Sequence, residues 1–111
     1  MNDTNYIGTV VRLLETPNQK MLQNKIIVTK FRAQIPQLRN TRLITVTVWG
    51  NLARDVAMYY KINDYLLIEG YISLRYKKNS KLTFYKSSKV QITALKVYPF
   101  LLNYDSSIQN I

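Results

Sequence analysis

Leu43-Ile44-Thr45-Val46-Thr47-Val48-Trp49-Gly50, a short amphipathic segment, and then Tyr65-Leu66-Leu67-Ile68-Glu69-Gly70 decide the fold of this chain. A strand sends alternate side chains to opposite faces. Ile44, Val46 and Val48 therefore share the face suited to burial, and Leu43, Thr45, Thr47 and Trp49 share the other. The chain's single tryptophan thus falls on the more polar side, among threonines. A large aromatic there suits a surface that stacks something flat.

Outward from that block, Tyr6–Leu14 is a largely β-branched run and reads as a first strand. Glu15–Gln19 carries Pro17 and Asn18 and reads as a turn or loop. Lys25–Ile35 reads as a second strand. Ile27, Thr29, Phe31, Ala33 and Ile35 lie on one side of it. Ile26, Val28, Lys30, Arg32 and Gln34 lie on the other. Pro36 cannot donate to a ladder and ends that strand, and Arg39 and Arg42 follow in a loop. Leu43–Trp49 is strand three.

Asn51 reads as the N-cap of a helix reaching about Tyr60, with Leu52, Val56 and Tyr59 or Tyr60 at helical spacing. Lys61–Asp64 is the exit turn. Tyr65–Tyr76 is strand four, with a bulge or bend at Gly70 where another backbone approaches. Lys77–Ser80 reads as a hairpin tip, which Leu82–Tyr85 extends. Val90–Tyr98 is strand five, ending before Pro99. The expected architecture is all-β: a five-stranded Greek-key OB-fold barrel with one short helix between strands three and four. Residues 1–100 form the domain, and 101–111 a short polar tail.

At 111 residues the chain has room for one modest core. Sixteen Lys and Arg against six Asp and Glu give a net charge of +10, which favours a polyanionic partner. Cysteine and histidine are absent, so there is neither a disulfide framework nor a thiolate or imidazole metal site. The six acids are scattered and no Gly-rich phosphate loop is present, so neither an enzyme nor a bound cofactor or metal is expected. No apolar run approaches the ~20 residues that span a bilayer. The opening Met1–Asn5 reads as neither a signal nor a transit peptide. Heavy use of Asn, Ile, Lys and Tyr fits an AT-rich genome and a protein made inside an organelle.

Val46-Thr47-Val48-Trp49-Gly50-Asn51-Leu52-Ala53 followed by Leu67-Ile68-Glu69-Gly70 resembles the signature of bacterial-type single-stranded DNA-binding proteins. Tyr6–Val10 and Val28–Ala33 resemble that family's first two strands, so the similarity spans roughly residues 5–98. The plastid-encoded algal members are nearest in flavour. The resemblance implies an OB fold, strand-wrapping DNA binding without catalysis, and a homo-oligomer, with a tetramer favoured over a dimer. It also implies a plastid location, with the bacterial cytoplasm as the alternative. Three departures stand out. Leu43 and the Tyr76-Lys77 pair occupy places where the family often has tryptophan. Asn63-Asp64 replaces the usual Lys-Gly of the exit turn, and asparagine tolerates the left-handed backbone needed there. Ser107–Ile111 lacks the acidic tip through which bacterial members recruit replication and repair enzymes, so no such recruitment is expected.

A basic groove and stacking aromatics hold single strands, each stacked base contributing ~1–3 kcal/mol. Trp49 is the first candidate stacker, its bland role being a half-buried edge of the core. Thr47 and Thr45 share its face. Lys30 and Arg32 flank that face if strands two and three pair. Arg75, Tyr76, Lys77, Lys78, Tyr85 and Lys86 mix cations with aromatics along the hairpin, beyond what solubility requires. Tyr65, Tyr71 and Glu69 share a strand face suited to subunit contacts. The leading expectation is a sequence-tolerant single-stranded DNA-binding protein of replication, recombination or repair. The alternatives are a primosomal N-like OB dimer that bridges proteins, and an RNA-binding OB protein.

Overall fold

The computed structural model describes residues 5–36, 43–78 and 86–103, with the backbone alone at 75–78 and 86–89. In chain order the elements are β1 (Tyr6–Leu13), β2 (Asn18–Met21), β3 (Ile27–Gln34), β4 (Leu43–Trp49), α1 (Gly50–Tyr59), β5 (Tyr65–Lys78) and β6 (Lys86–Leu101). The hydrogen-bonded order is β1-β5-β6-β4-β3-β2, and β1 also pairs with β3 through Arg12↔Gln34 and Leu13↔Ala33. That second pairing closes β1, β3, β4, β6 and β5 into the expected five-stranded barrel, with α1 between its third and fourth strands. The β4–β6 pair is parallel; every other pair is antiparallel.

A sixth, short strand replaces part of the loop expected at Glu15–Gln19. β2 pairs with Ile27–Lys30 of β3, along the edge whose far end β1 occupies. Proline and asparagine at 17 and 18 announce a break, but the break only lets the chain leave β1 and rejoin the same edge. The open ladder of β3 supplies the hydrogen bonds that override local turn preference.

Alternation explains the core. Val11, Leu13, Phe31, Ala33, Ile44, Val46, Val48, Leu66, Ile68, Ile92 and Ala94 are buried and point inward from five strands. The buried Thr29 hydroxyl donates to the Ala53 carbonyl at 2.8 Å, tying β3 to the first turn of α1. Ala53 and Val56 are the buried residues of the helix. Tyr60 packs on the core, whereas Tyr59 is 66% exposed and takes no part in it.

The helix begins differently from the sequence expectation. Trp49 is the N-cap, without a side-chain cap bond, and Gly50 is the first helical residue at φ 71°. Asn51 is already inside the first turn. A tight strand-to-helix corner needs a left-handed residue at position 50, and glycine provides it without strain. At the other end Asn63 does adopt the left-handed backbone, at φ 75°. The buried Asp64 carboxylate accepts from Lys61 N at 2.9 Å and Asn103 N at 2.7 Å, fastening the exit turn to the end of the described chain.

Gly70 lies at a register irregularity between β5 and β6, as expected. Pro99 does not end β6, which runs on to Leu101 with a second irregularity opposite Tyr65/Leu66. The irregular ladder there accommodates a residue that lacks an N–H. The β5–β6 ladder continues to Lys78↔Lys86, so the hairpin reaches further than Tyr76 and the expected Leu82–Tyr85 extension lies outside the described residues.

Candidate nucleic-acid interface

The outward residues of β4 are Leu43, Thr45, Thr47 and Trp49, and register fixes their neighbours. Val28 of β3 lies opposite Trp49, Lys30 opposite Thr47 and Arg32 opposite Thr45. On the other flank Thr93 lies beside Thr47 and Gln91 beside Thr45. Thr93 in turn faces Tyr71, and Tyr71 faces Tyr6. A transverse row Lys30–Thr47–Thr93–Tyr71–Tyr6 thus crosses five strands of one surface. A second row, Arg32–Thr45–Gln91–Ser73, runs beside it.

Trp49 is 47% exposed, so its ring is neither sealed inside nor fully in water. That half-exposure leaves ring surface available to a flat partner, as a stacking platform requires. Lys30 is exposed beside Thr47. Arg32 is on the same face but is already engaged. Glu15 accepts its backbone N–H at 2.8 Å, its Nε at 3.3 Å and a terminal guanidinium nitrogen at 3.2 Å. These contacts hold the Glu15 carboxyl below its usual range, the backbone N–H being the largest cause and the guanidinium next. Arg32 is therefore a partly neutralised cation, which residue type alone does not reveal.

The basic hairpin is continuous with this surface at its far end. Ile44 pairs with Val90, and the ladder then climbs through Arg75↔Lys89, Tyr76↔Ser88, Lys77↔Ser87 and Lys78↔Lys86. Trp49 is at the opposite end of β4. Six residues of strand separate its level from that of the hairpin base, about 20 Å at ~3.3 Å per residue. Trp49 and the hairpin thus do not share a compact trough; they lie at the two ends of one long face. Tyr85 lies outside the described residues, as do Arg39 and Arg42.

Sequence reading missed the β2–β3 edge of this face. Val28 shares the Lys30 side of β3, yet it is only 5% exposed. It floors a recess of about 510 Å³ lined by Glu15, Thr16, Asn18, Lys20, Leu22 and Lys30. The alternation Asn18, Lys20, Leu22 was the available signal, but four residues behind a proline make a weak strand pattern.

A third surface is apolar. Val10, Leu67 and Tyr98 stand in one row across β1, β5 and β6, and Leu95, Phe100 and Leu101 are 47%, 57% and 60% exposed nearby. Tyr6 and Tyr71 pack edge to face with centroids 5.4 Å apart, and the Tyr6 hydroxyl donates to Glu69 at 3.3 Å. Among the described residues no group of acidic side chains could hold a metal ion.

Solved structures share the fold. A small single-stranded DNA-binding protein from Streptomyces coelicolor superposes with a TM-score of 0.74 at 18% identity, covering 90% of this chain and 97% of that one. The single-stranded DNA-binding (SSB) domain of a Synechococcus protein gives 0.68 at 19%, covering 88% and 98%. A deletion mutant of the Thermus aquaticus single-stranded DNA binding protein gives 0.68 at 17%, covering 91% of this chain but 43% of its own. At those identities the likeness establishes the OB barrel. No family model matches the sequence. A curated protein of Trieres chinensis, "Putative single-stranded DNA-binding protein ycf41", is 36% identical over 103 residues, covering 89% of this chain and 91% of its own length. With identity of that level along nearly the whole barrel, the chain belongs to the ycf41 family.

Proposed function

We propose that this protein binds single-stranded DNA without catalysis and largely without regard to sequence, covering strands exposed in replication, recombination or repair. The half-exposed Trp49, set on a polar sheet face beside Lys30 and Thr47, carries the reading. Stacking on an aromatic face is open to every base, and cations along the path neutralise phosphates. The strand runs from Trp49 over Lys30, Thr47 and Arg32 toward the hairpin that carries Arg75, Tyr76, Lys77, Lys78, Tyr85 and Lys86. The net charge of +10 and kinship with ycf41 support the same reading.

The apolar row Val10–Leu67–Tyr98, with exposed Leu95, Phe100 and Leu101, is the surface for self-association, a tetramer being the favoured assembly. The same kinship supports a plastid location. The decisive experiment is titration with fluorescent oligothymidine at rising salt, read together with Trp49 emission. Binding should quench the tryptophan, and log K should fall by about 0.7 per tenfold rise in salt for each phosphate neutralised. Tight binding indifferent to salt would refute the proposal. Preference for an RNA strand of matched sequence would reassign it to RNA, and tight capture of a helicase with negligible DNA binding would reassign it to a bridging subunit.

A further inference from the structure

The recess beside Trp49 has features that general stacking and phosphate attraction do not require. It lies on the same outer face as the tryptophan, because Val28 faces Trp49 and Lys30 faces Thr47 across the β3–β4 ladder. Its volume, about 510 Å³, falls within the roughly 300–1,000 Å³ of small-ligand sites. The floor is the buried Val28, and Leu22 forms an apolar side. Lys20 lies beside Val28 and Asn18 beside Lys30 across β2–β3, which puts cations at the rim.

The wall is an acid. A carboxylate on the binding face of a basic protein repels phosphate, so its position calls for another explanation. Glu15 is held still by three hydrogen bonds from Arg32: Oε1 takes both guanidinium contacts, and Oε2 takes only the backbone N–H. A carboxylate oxygen has two acceptor sites, so Oε2 retains one. A fixed acceptor above an apolar floor is complementary to a base edge that bears an amino group. Carboxylates accept from the cytosine amino group in this way.

We propose that this recess takes one base of the bound strand, next to the base stacked on Trp49, and reads its exocyclic amino group through Glu15. The base lies against Val28 and Leu22, and Lys20 and Lys30 meet the flanking phosphates. Thymine and uracil present a carbonyl where cytosine presents the amino group, and the carboxylate repels it. The protein is therefore sequence-tolerant along most of its path and selective at one position. This rests on the single-stranded DNA reading above.

The test compares three oligonucleotides of one length: all thymidine, and thymidine with a single central deoxycytidine or deoxyuridine. The last two differ at the base in the 4-amino or 4-oxo group and in the N3 proton that accompanies the latter. The deoxycytidine strand should bind about fivefold tighter than the deoxyuridine strand. Glu15→Gln should abolish that ratio. Lys30→Ala, which removes a phosphate contact but leaves Glu15 and Arg32 in place, should weaken both strands and preserve it. Equal affinities with binding intact, a ratio that survives in Glu15→Gln, or a ratio lost in Lys30→Ala would each overturn the assignment while leaving single-stranded binding in place. Failure of all three strands to bind at low salt would overturn both.

Discussion

The Thr93 carbonyl occupies the space in which a side chain at Gly70 would begin. A Cβ built there overlaps that oxygen and lies 2.9 Å from the Ala94 Cα. β5 and β6 come this close because their register shifts between Glu69 and Gly70. Gly50 is glycine for a different reason: nothing approaches within 4 Å of its absent Cβ, but its φ is 71°.

The two glycines should therefore separate on substitution. Gly70→Ala should destabilise by roughly 1–3 kcal/mol through overpacking against backbone, and Gly70→Asn by at least as much. Gly50→Ala should lose about 1–2 kcal/mol to the left-handed backbone, whereas Gly50→Asn should recover part of that. Urea unfolding of the four variants measures it. Equal penalties for Asn at both positions would contradict the distinction.

Trp49→Ala should weaken oligothymidine binding by about 1–3 kcal/mol, one stacked base. Trp49→Phe should retain part of the affinity. Because the ring is half-exposed, thermal stability should change less than affinity does. Titration beside a melting curve distinguishes this from a core role, in which stability would fall first.

Lys30 and Arg32 are adjacent outward cations of β3, but Glu15 engages only the arginine. Lys30→Ala should flatten the salt dependence of binding by about 0.7 in log K against log salt, one phosphate. Arg32→Ala should flatten it by less. Parallel salt titrations of the two variants provide the comparison, and a larger change for Arg32→Ala would show that DNA displaces Glu15.

The same ion pair predicts a pH dependence of stability. The Glu15 carboxyl titrates below its ordinary value of 4.5 in the folded chain, so its contribution is present above that value. It is lost as pH falls through the lower native value. Wild type should thus exceed Glu15→Gln in stability at neutral pH by a modest amount, the pair being well exposed. The difference should vanish under strongly acidic conditions. Denaturant midpoints from pH 7 down to pH 2 follow it, and a gap that widened with acid would be the wrong sign.

Much of this molecule is legible in its residues because burial writes a period-two pattern. Leu43–Trp49 reads directly as β4, since Ile44, Val46 and Val48 have one wet side and one dry side to choose between. Gly70 and Asn63 are readable for a similar reason: few residues fit a close backbone or a left-handed turn. β2 is not legible, because all four of its residues are exposed and carry no hydrophobic signature. Its strand character comes from the unfilled edge of β3, a property of the assembled sheet. The pairing of Arg32 with Glu15 is hidden likewise, as the partners lie seventeen positions apart and only the β1–β3 corner brings them together. The distance between Trp49 and the hairpin depends on the direction of β6 relative to β4, which no local pattern encodes.

The parallel β4–β6 seam also constrains how the chain reaches its native state. Val48 meets Ala94, forty-six positions later, and β6 is inserted between two strands made before it. On a ribosome adding roughly 5–20 residues per second, β4 and β5 therefore emerge seconds ahead of the segment that must separate and join them. Until then the nascent domain is an open sheet with unsatisfied edges. Such distant pairing places folding toward the slow, millisecond-to-second end of the range for small domains, and commits it to β6, which is synthesised after both of its neighbours.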